Sequence, residues 1–119
     1  MSGGLTTHVL DLSKGMPAKD LQIELWLIGD NDVRTLLKTK YTNDDGRMDN
    51  PLLSGEEMQT GEYELVFYVG DYLNGEHTIS SGLPFLNKVP IRFGIGSNQQ
   101  HYHVPLLVAP GGYSTYRGS

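Results

Sequence analysis

The sequence predicts an all-β sandwich of seven or eight short strands with one short helix. Three observations lead there. Apolar residues recur at every second position through most of the chain, the period of a half-buried strand. Fifteen glycines and six prolines punctuate those runs, as many short strands require. Only one window, Asp71 to Ser80, suits a helix, and Gly75 inside it weakens even that one.

The elements follow in order. Met1 to Gly4 is small and polar and reads as a loose arm; Thr6 to Leu12 reads as extended. Leu21, Ile23, Leu25 and Leu27 alternate with Gln22, Glu24 and Trp26, which predicts a strand with one buried face. Gly29-Asp30-Asn31-Asp32 supplies turn chemistry, and Val33 to Thr42 alternates again with Arg34, Lys38 and Lys40 on the wet face. The two runs therefore make a hairpin. Tyr63, Leu65, Phe67 and Val69 alternate against Glu62 and Glu64. Val89 to Ile95 and His103 to Val108 are two more apolar runs, separated by Gly96-Ser97-Asn98-Gln99-Gln100, and Tyr113 to Arg117 is a shorter extended segment. Strands of this number and length pack as two layers around one core.

A chain of 119 residues is expected to be a single domain over 1–119. The net charge of −5 and the absence of a basic run argue against nucleic acid or an anionic membrane as partner. No apolar stretch reaches the length of a membrane span. There are no cysteines, which removes disulfides, thiolate catalysis and cysteine-ligated zinc. Met1 to Leu5 has neither a charged n-region nor an apolar h-region, and Arg117-Gly118-Ser119 is not a peroxisomal address. The expected setting is cytoplasmic.

Four histidines and two arginines carry the candidate chemistry. His8 lies in the first extended segment, as a plain strand histidine or as a base, since an imidazole with pKa near 6.5 accepts a proton at neutral pH. His101 and His103 are two apart and project from one strand face, an arrangement that also begins some zinc sites. His77 reads as surface. Arg47 follows the tight-turn pair Asp45-Gly46; it is either solvated or a planar fork of donors for an anionic, carbonyl-rich ligand. In the tail, Tyr116 offers a ring face and a hydroxyl, Arg117 a cation, and Ser119 a hydroxyl with the α-carboxylate. Asp11, Asp44, Asp45 and Asp49 read as capping or solvated carboxylates. Gly94-Ile95-Gly96 is no nucleotide loop, and no serine stands in a nucleophile-elbow pattern.

Three segments together resemble one family. They are Thr7-His8-Val9-Leu10-Asp11, Thr42-Asn43-Asp44-Asp45-Gly46-Arg47, and the run from His101-Tyr102-His103-Val104-Pro105-Leu106-Leu107 to Tyr113-Ser114-Thr115-Tyr116-Arg117-Gly118-Ser119. Their order and spread are similar to those of the transthyretin-related 5-hydroxyisourate hydrolases. The resemblance implies a transthyretin-like eight-strand β-sandwich with a short helix after the fifth strand. It implies hydrolytic opening of the six-membered ring of 5-hydroxyisourate, with His8, Arg47, His103 and Ser119 as catalytic residues and His8, Arg47 and Tyr116 on the substrate. It makes His101 a neighbour that sets the tautomer of His103. It implies no cofactor and no metal, a small-molecule substrate, and a homotetramer with sites at the dimer–dimer interface. The rival readings are a transthyretin-like carrier of thyroid hormone or another aromatic ligand, a zinc hydrolase built on His8, His101 and His103, and a plain interaction module. A hormone carrier has no use for the polar set His8, Arg47, His103 and the Tyr-Arg-Gly-Ser ending, which favours the enzyme.

Overall fold

The computed structural model describes residues 3–76 and 83–118. His77 and Ser119 lie outside the described residues, as do Met1, Ser2 and the far end of the expected helix. Alternation becomes two facing sheets. One has the order β2-β1-β8-β9, with β5 also paired to β1; the other has the order β4-β3-β6-β7. The strands are β1 (Gly4–Asp11), β2 (Met16–Pro17), β3 (Gln22–Ile28), β4 (Arg34–Tyr41), β5 (Leu53–Ser54), β6 (Gly61–Phe67), β7 (Val89–Ile95), β8 (His101–Ala109) and β9 (Gly112–Thr115). One α-helix, α1 (Val69–Glu76), follows β6.

The all-β sandwich with one helix is therefore what the chain forms. The strand number differs from the expected eight. Nine are present among the described residues, because β2 and β5 pair with β1 over two residues each. With those two included, the helix follows the sixth strand and not the fifth.

The core lies between the sheets. Leu5, Val9, Leu106 and Val108 from one meet Ile23, Leu25, Tyr63, Leu65 and Phe67 from the other, all essentially without exposure. Burying such side chains contributes about 1.5–3 kcal/mol each. Tyr72 of α1 donates its hydroxyl to Oδ2 of the buried Asp11 at 2.8 Å, while Oδ1 accepts from the Ser13 amide and hydroxyl at 3.0 and 2.8 Å. The helix is thus tied to the end of β1.

Strand β4 departs from its expected single wet face. It is exposed along nearly its whole length, Leu36 and Leu37 included, because it is the edge of its sheet and its pairing with β3 shifts register between Leu25 and Trp26. Glu64, expected on a wet face, is only 7% exposed. It is covered by Arg34 and Arg92, each 3.1 Å from one of its carboxylate oxygens. Among the described residues no helix is long and apolar enough to cross a membrane.

Candidate active site

The site is founded on the parallel pairing of β1 with β8. The register runs unbroken from Gly4↔His101 through Thr6↔His103 and His8↔Pro105 to Asp11↔Val108. Since alternate residues share a face, Leu5, Val9, Tyr102, Val104 and Leu106 turn into the core. Thr6, His8, His101 and His103 then stand together on the outer face of the sheet. Residues about a hundred positions apart in the chain become neighbours. Thr6 Oγ1 lies 2.9 Å from Nδ1 of His103 and 3.1 Å from Nε2 of His101.

Arg47 is delivered by a turn that closes on itself. The Asn43 side-chain oxygen accepts from the amides of Asp45 (2.9 Å) and Arg47 (3.1 Å), and the Asn43 amide donates to the Arg47 carbonyl at 2.7 Å. Below the turn, buried Thr42 donates its hydroxyl to Ala18 O and accepts from the Leu21 amide, at 2.7 and 2.9 Å. Gly46 has φ +72°, and a Cβ there would run into the Val9 carbonyl. Its own carbonyl accepts from the Val9 amide at 2.9 Å. A residue free of a side chain is needed for that approach, and the approach sets Arg47 beside His8. Arg47 is exposed, and its guanidinium makes no hydrogen bond or ion pair among the described residues.

The tail closes the other side. The Gly118 amide donates to the His103 carbonyl at 2.7 Å, and a Cβ on Gly118 would come within 2.7 Å of the His103 ring. Arg117 holds this segment down: it donates to the Gln100 side chain and the His101 carbonyl, at 3.0 and 3.3 Å, and its Cζ lies 4.3 Å from the centre of the Tyr102 ring. Between these parts opens a cleft of about 440 Å³, walled by Thr6, Arg47, His101, His103 and the segment 48–52. Asp49 in that segment accepts from the Asn43 side chain at 3.0 Å.

Both half-buried imidazoles are held below the ordinary histidine range. For His8 the cause is first burial, then the Arg47 charge, partly offset by a hydrogen bond with the Asp45 backbone and by the Asp45 charge. For His103 it is burial, then Arg47, then His8 and His101. The rings are thereby kept neutral at neutral pH, the state in which an imidazole acts as a base. Beside them stands a cation suited to a developing negative charge.

The structure brings His8, Arg47 and His103 together. His8 flanks the cleft and does not line it. Tyr116 is not brought to the histidines: it lines a separate apolar cavity of about 280 Å³ with Phe93, Tyr102 and Val104, on the opposite face of β8. No group of three or more histidines and carboxylates is arranged to hold a metal among the described residues. The sequence reading passed over Thr6 and the wall 48–52. Thr6 stands two residues before His8 on the same strand face, but a strand threonine carries no signal of its own. The wall carries no periodic signal.

The model of the HIUase/Transthyretin family matches residues 5–118. A 5-hydroxyisourate hydrolase of Halalkalibacterium halodurans is 54% identical over 119 residues, the whole of both chains. Among solved structures, an (S)-allantoin synthase superposes with a TM-score of 0.91 at 46% identity, over 99% of this chain and 44% of that one. A sea bream transthyretin in complex with thyroxine superposes with a TM-score of 0.84 at 25% identity, over 97% of this chain and 94% of that one.

Proposed function

We propose, from the premise that this chain belongs to the HIUase/Transthyretin family, that it is a hydrolase of urate breakdown. It opens the six-membered ring of 5-hydroxyisourate to 2-oxo-4-hydroxy-4-carboxy-5-ureidoimidazoline. The observation that carries the reading is a guanidinium without a hydrogen bond or ion pair among the described residues, set beside two imidazoles held neutral, in a chain that matches a hydrolase from end to end. The much lower identity to a thyroxine-bound transthyretin weighs against a hormone carrier.

In this scheme water adds to the ring carbonyl, the adjoining C–N bond breaks, and the released nitrogen takes a proton. His8 and His103 share the taking and giving of protons. Arg47 stabilises the oxygen on which charge grows and helps orient the flat substrate with His8. Ser119 is the fourth catalytic residue of the proposal, and Tyr116 a substrate contact. Within its own subunit Tyr116 faces away from the histidines, so it reaches substrate after a shift of the tail or from a neighbouring copy. The working form is a homotetramer of single-domain chains (1–119) with the cleft covered at the dimer–dimer interface. In support, the cleft lies on an outer sheet face where Arg47 is exposed. The cytoplasmic setting rests on the sequence alone.

The deciding experiment is an ultraviolet time course on freshly generated 5-hydroxyisourate against the spontaneous decay. A large acceleration is expected. Arg47→Ala and His103→Ala are each expected to lower kcat/KM about 100-fold or more, near 3 kcal/mol of transition-state stabilisation, with melting temperature little changed. A folded protein that leaves the decay rate unaltered would overturn the reading. Extending the chain beyond Ser119 with a tag tests that residue separately: an unchanged rate removes it from the scheme. Light scattering of the purified protein tests the tetramer.

A further inference from the structure

The cleft histidine has a route to solvent that the hydrolase reading does not use. Thr6 Oγ1 sits between Nδ1 of His103, at 2.9 Å, and Nε2 of His101, at 3.1 Å. A hydroxyl has one hydrogen and two acceptor lone pairs. With that hydrogen directed into the pair, it donates to one ring and accepts from the other, so both rings carry their hydrogen on the same nitrogen, Nδ1 in one setting and Nε2 in the other. His103 is half-buried in the cleft, whereas His101 is exposed. We propose that Thr6 is a positioning residue that relays a proton from His103 to His101 and so to solvent. The inference rests on the hydrolase reading and says how its histidine is reset.

The atoms balance with no other reactant. His103 begins with its hydrogen on Nδ1, donated to Thr6, and takes a proton from the attacking water at Nε2. The Nδ1 hydrogen then passes to Thr6 Oγ1 as the hydroxyl hydrogen passes to Nε2 of His101. His103 is neutral again with its hydrogen on Nε2, and His101 carries the positive charge and releases its Nδ1 proton to water. As Nε2 of His103 then protonates the leaving nitrogen, the Thr6 hydroxyl hydrogen returns to Nδ1 of His103 and the Nε2 hydrogen of His101 passes to Thr6, while His101 regains a proton from water at Nδ1. Only O–H and N–H bonds change. The charged and titratable groups around His103 suit a transfer outward. Burial, Arg47 of the turn, His8 of β1 and His101 itself all oppose a lasting imidazolium on His103. Asp49 of the cleft wall is held by Asn43. Arg117 faces the His101 carbonyl, leaving the ring open to water.

Thr6→Val keeps the branched shape that a strand favours and removes the hydroxyl; Thr6→Ser restores the hydroxyl. Thr6→Val is expected to lower kcat about tenfold or more with KM within about twofold, and Thr6→Ser to recover most of the loss. His101→Gln still offers Thr6 a partner but cannot pass a proton on. It is expected to lose as much, with no further loss when combined with Thr6→Val, as for groups acting in one unit. Nitrogen NMR of the His103 ring without substrate gives a readout independent of turnover: its Nδ1 and Nε2 signals are expected to move in Thr6→Val and return in Thr6→Ser. Equal impairment by Val and Ser, or His101→Gln within about twofold of the parent rate, would overturn the relay. If the parent protein does not hydrolyse the substrate, that reading fails by itself. Unmoved His103 signals in Thr6→Val would then overturn the role of Thr6 as well.

Discussion

Burial and a neighbouring guanidinium act in the same direction on the two imidazoles of the site, and Arg47 is the second cause for both. Each ring is therefore expected to titrate below about 6.5, the value of a free histidine. In Arg47→Gln both midpoints are expected to rise toward that value without reaching it, since burial remains. Proton NMR of the ring hydrogens against pH measures this directly. Midpoints that stay in place in the variant would show that Arg47 does not reach the rings. The activity profile follows: with neutral imidazole as the working form, the acid limb of kcat/KM is expected below pH 6.5 and not at it.

Among the elements, the turn 43–47 has the tightest tolerance, because Gly46 combines a left-handed φ of +72° with a close approach to the Val9 carbonyl. Gly46→Ala is expected to cost about 1–3 kcal/mol in chemical denaturation and to lower turnover further, through displaced Arg47. Gly15, also left-handed at φ +66° but with open space around it, is the control: Gly15→Ala should carry only the backbone cost and leave turnover intact. The contrast between these glycines shows what the sequence can tell. Asp45-Gly46 announced a turn, alternation announced β3, β4 and β6, and apolar runs announced β7 and β8, since each of these is a local property. The sequence could not announce β2 or β5, whose two residues are too few for a period, or that the Val9 carbonyl lies against Gly46. His8, Arg47 and His103 were legible from residue type and motif. Thr6 was not, because a threonine in a strand is ordinary until the partner strand sets a histidine on either side of its hydroxyl.

At the level of the whole molecule, the lowered imidazole midpoints make stability depend on acid. An unfolded chain binds protons at His8 and His103 more readily than the folded one does between the two sets of midpoints. Stability from this source is thus present above about pH 6.5 and is lost as pH falls through the folded values. The melting temperature is expected to drop between pH 7.5 and 5.5. The drop should be smaller in the His8→Gln, His103→Gln double variant, and an equal drop would mean that other groups carry it. A last consequence concerns synthesis. The hydrogen bond between Thr6 and His103 spans 97 positions of the chain, and β1 has no parallel partner until β8 has left the ribosome. A nascent chain can draw its first sheet together early, from β3, β4 and β6, yet it remains chemically silent. Competence arrives only with β8 and the tail that follows it, so the onset of turnover after synthesis would time the closing of the sandwich.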